Sequence, residues 1–132
     1  MTLNIEERNA VIEYRIEKSL LTLKEAKDNA ALGYWSLTAN RLYYSAFYLI
    51  LALIIKDGDQ AKTHNGAFAI FSRKYISTGL ISKEDGSLYR RLFTMRQSGD
   101  YDDLFDWESE DVLPLIPLVE NFIATLLSII RS

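Results

Sequence analysis

Residues 93–103 read FTMRQSGDYDD, an apolar run that meets one arginine and then a tyrosine among three carboxylates. Arg96 carries a planar fork of donors suited to a phosphate or a carboxylate. Tyr101 offers a phenol, but an ordinary tyrosine titrates near ~10 and is a poor general base at neutral pH. Asp100, Asp102 and Asp103 repel phosphate and attract arginine. If the helix ends at Gly99, Arg96 falls in its last turn, where a cation also complements the helix dipole. The run therefore reads in two ways. It is a solvated cap whose ion pairs contribute less than about 1 kcal/mol, or a polar site hung on a rigid helix end.

A second polar feature lies in ANRLYYSAFYLILALI, residues 39–54. On a helical wheel Tyr43, Phe47, Ile50 and Ile54 share one face. Arg41, Tyr44, Ser45 and Tyr48 share another, about 100° wide, with Asn40 at its edge. Such a stripe is either a surface on which tyrosines bury rings and keep hydroxyls wet, or a ligand-binding strip. Arg90 and Arg91 are adjacent, and Tyr89 and Arg96, seven residues apart, fall on one face of their helix. The single histidine, His64, stands in KTHNG at a loop-to-helix junction. There it caps locally, or it serves phosphate binding or proton transfer.

Bulk composition narrows the partners. The formal charge is −3 from 15 basic and 18 acidic residues, so nucleic acid is not drawn by net charge and any contact must use a local patch. With no cysteine and one histidine, disulfides, thiol catalysis and cysteine zinc sites are excluded, and neither metal nor cofactor is expected. The absence of cysteine suits a reducing compartment, and a cytoplasmic protein is expected. The N-terminal stretch is charged throughout and lacks an apolar signal core. The apolar run from Leu42 to Ile55 is shorter than the ~20 residues a span needs, so it predicts a buried helix and no membrane contact.

Only 6 glycines and 2 prolines punctuate 132 residues, which means few, long elements. The patterning predicts one domain, residues 1–132, made of five helical segments. The first covers about 5–31, with Val11, Tyr14, Leu21, Ala26 and Ala30 as its apolar stripe and Gly33 as its stop. The second covers about 36–56 with Ser36 as N-cap. A third runs about 64–77, and a fourth from Ser82 to Gly99. The fifth spans about 109–130 and is irregular up to Pro117. The fold class is all-α: an up-and-down four-helix bundle with an additional short helix.

The Asn-Arg-x-Tyr-Tyr stretch at 40–44, the KTHNGAFAIFSRKYISTG segment and the MRQSGDYDD helix end, in that order, resemble the HEPN family over roughly residues 10–130. That resemblance implies a helical bundle that pairs into a homodimer. Many HEPN proteins are metal-independent ribonucleases marked by an arginine and a histidine with four to six residues between them. Here Arg96 matches the arginine, but Tyr101, Asp102 and Asp103 occupy the histidine's possible positions. The motif is therefore degenerate. The resemblance points to a nucleotide- or RNA-binding domain paired with a minimal nucleotidyltransferase in a toxin–antitoxin-type system. Tyr101 would be the hydroxyl that accepts a nucleotide from that partner. The site implied gathers Arg96, Asp100 and Tyr101 with Asn40, Arg41 and Tyr44, and His64 is a separate candidate for ligand binding. An active ribonuclease using Arg96 is the alternative.

Overall fold

The computed structural model describes residues 3–101 and 106–132, with the backbone alone over 99–101. Helix α1 spans Ile5–Ala31. Its start is fixed by a reciprocal cap: the Asn4 side chain accepts the Glu7 amide at 2.8 Å, and Glu7 accepts the Asn4 amide at 3.2 Å. Its end is fixed by Gly33 at φ +77°, with Gly33 N–H on Ala30 O and Tyr34 N–H on Asn29 O, both at 3.0 Å. Helix α2, Trp35–Lys56, closes in the same way at Gly58. Helix α3, His64–Phe71, starts on Thr63, whose hydroxyl accepts the Gly66 amide at 2.8 Å. Helix α4 covers Lys83–Tyr101, the single turn α5 covers Ser109–Val112, and α6 covers Leu115–Ile130.

Helix α2 is the centre of the bundle, packed by α1, α3, α4, α5 and α6. Leu42, Tyr43, Ala46, Leu49, Ile50, Ala52 and Ile54 are all fully enclosed. A run of rings ties the other helices to it. Phe122 of α6 stacks near Tyr89 of α4 at 6.3 Å, Tyr89 stacks on Tyr43 of α2 at 5.7 Å, and Phe71 of α3 packs edge-on to both Phe122 and Tyr89. No strand occurs among the described residues. The architecture is the all-α bundle that the sequence predicts.

Five details differ from the sequence reading. In α1 the buried stripe is Ile12, Ile16, Ser19, Thr22 and Ala26, while Tyr14 and Leu21 are 60% and 58% exposed. The buried face is turned roughly a quarter turn from the expected one. Close approach explains the choice: Ser19 Oγ donates to Ser45 O at 2.6 Å, a seam that admits small residues. Ser45 accordingly belongs to the α1–α2 seam and not to a polar stripe. Ser36 lies inside α2 and is no cap; its hydroxyl donates to the Asp106 carboxylate and accepts the Trp107 amide. The third helix changes to a wider π-turn over Ser72–Ile76 instead of continuing regularly to 77. Finally, α4 runs through Gly99 to Tyr101, because a helical glycine costs only about 1 kcal/mol and need not end a helix. Arg96 is thereby not in a last turn.

The segments Trp35–Lys56 and Ser109–Ile130 are each apolar and long enough to cross a membrane by length and composition. Two thirds of the α2 window is enclosed by the bundle, as in any core helix. The second segment is broken at Pro114, which leaves 16 continuous residues in α6, below the ~20 a span requires.

Phe122→Ala should destabilise the fold by about 3–5 kcal/mol, the usual range for deleting a buried aromatic ring. Leu21→Ala, on the exposed face of α1, should change stability by less than about 0.5 kcal/mol. Urea unfolding followed by circular dichroism measures both.

Candidate functional site

A tyrosine at a fully buried position carries a hydroxyl that must find a partner. Tyr43 finds two. Its oxygen lies 2.8 Å from His64 Nδ1 and 3.4 Å from the Tyr89 hydroxyl. Tyr89, equally buried, donates to Tyr43. The Tyr43 proton then falls to His64 Nδ1, which leaves the imidazole hydrogen on Nε2. The helices supply this arrangement directly. Thr63 caps α3, so His64 is the first helical residue and its ring turns onto α2, where Phe47 stacks on it at 4.4 Å.

Arg96 completes the cluster. It is 8% exposed, and its guanidinium carbon sits 5.5 Å from the centroids of both Tyr43 and Tyr44. A desolvated cation over aromatic faces gains about 2 kcal/mol. Tyr44 also faces Arg41 at 5.2 Å. Arg41 is braced by Asn40, whose Oδ1 accepts from Nε at 3.0 Å and from Nη2 at 2.8 Å, and it pairs with Glu25 at 3.4 Å. The Tyr43–Tyr44 pair therefore lies among two guanidinium groups and the imidazole, whose ring centroid is 5.8 Å from each phenol.

Burial pushes the Tyr43 phenol up to about 12, against a partial opposing pull from the Tyr89 hydrogen bond and from Arg96. Burial raises Tyr89 as well. His64 is lowered, first by burial and then by the Arg96 charge. At neutral pH both phenols are protonated and the imidazole is neutral, so the charges of the cluster among the described residues are Arg96 and the Arg41–Glu25 pair. The cluster can hold an anion, and its one neutral imidazole can take up or hydrogen-bond a proton. Among the described residues no group of three or more potential metal ligands occurs.

Of the residues singled out from sequence, Asn40, Arg41, Tyr44, His64 and Arg96 are brought together. The Arg96 reading changes in kind: the guanidinium is packed inside on tyrosine rings instead of displayed at a helix end. The side chains of Asp100 and Tyr101 lie outside the described residues, as do Asp102 and Asp103 altogether. Sequence reasoning missed Tyr43, which the wheel assigned to the apolar face. The available signal was the residue type, since tyrosine in place of phenylalanine at a core position calls for a polar partner.

A family model described as the HEPN domain matches residues 12–130. The chain is 32% identical to a UPF0332 protein of Thermotoga maritima over 97% of both chains. It is 26% identical to a candidate toxin of Methanocaldococcus jannaschii, over 76% of this chain and 68% of that one. A UPF0332 protein of Archaeoglobus fulgidus is 29% identical over 68% of this chain and 71% of its own.

Because His64 is the only histidine, its titration can be followed without assignment. Its NMR midpoint should lie below the ordinary ~6.5, and Arg96→Met should raise it part of the way, burial remaining. A wild-type midpoint at or above 6.5 would contradict the geometry. The native value lies below the unfolded one, so the unfolded chain binds more protons between them. This contribution to stability is complete above about 6.5 and is lost as pH falls through the native value.

Proposed function

Since the chain belongs to the HEPN domain family, we propose that it binds the phosphate of RNA or a nucleotide at Arg96 and acts as the toxin-side partner of a minimal nucleotidyltransferase. The supporting observation is the guanidinium of Arg96 held on Tyr43 and Tyr44 with Arg41 beside the same ring. A preorganised guanidinium on aromatic faces, with the Glu25-paired Arg41 beside it, suits a phosphate with a neighbouring base. The name of the M. jannaschii relative, a candidate toxin, supports the toxin-type setting. The nucleotidyltransferase partner and the nucleotide-accepting role of Tyr101 rest on family resemblance. So does a homodimer that places two Arg96 sites in one cleft. This reading puts the protein in the cytoplasm.

A second reading, a metal-independent ribonuclease, is favoured by one observation. The only imidazole of the chain reaches the Arg96 cluster from α3, although the motif position after Arg96 lacks it. In that reading the imidazole takes the other tautomer, with Nδ1–H donating to the Tyr43 oxygen, so that Nε2 is free to draw the proton from a 2′-hydroxyl. The 2′-oxygen attacks phosphorus, the bond from phosphorus to the 5′-oxygen breaks, the leaving oxygen takes a proton from the protonated imidazole or water, and Arg96 stabilises the charge gathering on the phosphate.

Metal-free incubation with single-stranded RNA separates the two. The binding reading expects slow or no cleavage by the wild type, and an affinity reduced about 10–100-fold in Arg96→Ala by loss of charge-assisted hydrogen bonds. Robust cleavage lost in both Arg96→Ala and His64→Gln would select the ribonuclease. An Arg96→Ala protein that binds and cleaves like the wild type would contradict both. Labelled-nucleotide transfer by a co-expressed nucleotidyltransferase, lost in Tyr101→Phe, tests the acceptor role.

A further inference from the structure

The adjacent Arg90 and Arg91 have no part in the Arg96 cluster, and they line a different surface. We propose that the outer face of α4, from Trp107 to Lys83, is a separate groove for single-stranded RNA. The choice of polymer rests on the RNA reading above; the groove itself does not.

Two adjoining cavities run along this face. One, about 380 Å³, is lined by Ser87, Arg90, Arg91, Thr94, Met95 and Trp107. The next, about 330 Å³, shares Ser87 and Arg90 and continues past Phe68 and Ser72 to Lys83. Ser87, Arg90, Arg91 and Thr94 stand at i, i+3, i+4 and i+7, so they form one helical face. From Lys83 to Thr94 the helix rises roughly 16 Å, enough to follow a short stretch of nucleic acid.

The charge is of the required sign. The chain is acidic as a whole, yet among the described residues these linings contain Arg90, Arg91 and Lys83 and no carboxylate. Elsewhere Lys24, Lys27, Arg41, Lys74 and Arg131 each pair with an acid, whereas Arg8, Arg15, Lys18, Lys56, Lys62 and Arg73 make no ion pair among the described residues. Among the described residues, none of the three groove cations makes an ion pair. Glu84 and Asp85, in the first turn of α4, mark the acidic limit of the groove.

The aromatic end favours a nucleic acid over an acidic peptide. Trp107 is half-buried, and its Nε1 donates to Met95 O at 3.4 Å, which pins the indole against α4 as a cavity wall. A fixed indole can stack a base, and base–aromatic stacking tolerates any sequence. Arg90 is likewise held, its guanidinium carbon 5.5 Å from the Phe68 centroid. A stacking wall followed by fixed cations matches a base followed by its phosphates. This is the local patch that an acidic chain needs in order to contact RNA.

The test uses Trp107 as reporter. Trp35→Phe leaves it the only tryptophan, with the wild type run in parallel. Titration with a ten-nucleotide oligouridylate should quench its emission saturably. The log–log salt dependence should lose about 0.7 per phosphate contact removed. Arg90→Ala/Arg91→Ala, both at exposed positions, should lower affinity about tenfold and flatten that slope. Lys24→Ala, an exposed cation of α1 away from both sites, should leave the Trp107 quenching and its salt slope in place. Quenching that is absent, or unchanged in the double variant, would overturn the groove. Trp107 quenching that is lost in Arg96→Ala and kept in the double variant would overturn it too, while leaving the Arg96 reading intact. A polyglutamate peptide that quenches and competes as well as the oligonucleotide would replace RNA with an acidic protein partner and overturn the assignment.

Discussion

The buried hydroxyl of Tyr43 is the constraint around which the bundle is arranged. A polar group in a fully enclosed position costs about 1–3 kcal/mol if left without a partner. Satisfying this one takes Tyr89 from α4 and His64 from α3, both meeting α2 at the same atom. The position of α3 follows, since His64 must arrive at its first turn with the ring inward. Arg96 follows as well, because it stands two turns beyond Tyr89 on α4 and so lies over the same ring. The rings of Tyr89 and Phe122 then carry the contact on to α6. One hydrogen-bonded phenol thus sets the relative placement of several helices and the chemistry between them.

That geometry bears on the sequence resemblance, which implies a histidine after four to six intervening residues following Arg96. Tyr101, Asp102 and Asp103 stand where the family's histidine falls. The chain places an imidazole against the arginine cluster by a tertiary route instead, from α3 through Tyr43. The consequence is an imidazole whose proton affinity is lowered by burial and by Arg96. A neutral imidazole beside two guanidinium groups is compatible with holding a phosphate, and with moving a proton only where substrate reaches the ring.

Much of the bundle was legible because its determinants are local. Gly33, Gly58 and Pro114 each act within a few residues, and the helix limits they set follow from residue type; the Asn4–Glu7 and Thr63 caps are equally local but were not singled out. The buried face of α1 was not legible. Its seam depends on how closely Ser19 approaches the Ser45 carbonyl, a distance set by another helix. Gly99 misled because glycine permits a stop without imposing one. Among the site residues, Asn40, Arg41 and Tyr44 could be read as a unit because they are near neighbours on one helix. The convergence of Tyr43, His64 and Tyr89 joins residues 21 and 46 positions apart, which periodicity along one helix does not encode.

The most direct test of this account is a double-mutant cycle between Tyr43→Phe and His64→Ala, with stability measured by urea unfolding at pH 7.5, where the imidazole is neutral. If the phenol and imidazole hold each other as the geometry describes, the two changes will be coupled by about 1 kcal/mol, the net worth of a buried hydrogen bond. Additivity within about 0.3 kcal/mol would show that the two groups do not interact, and the organisation of the site around Tyr43 would be wrong.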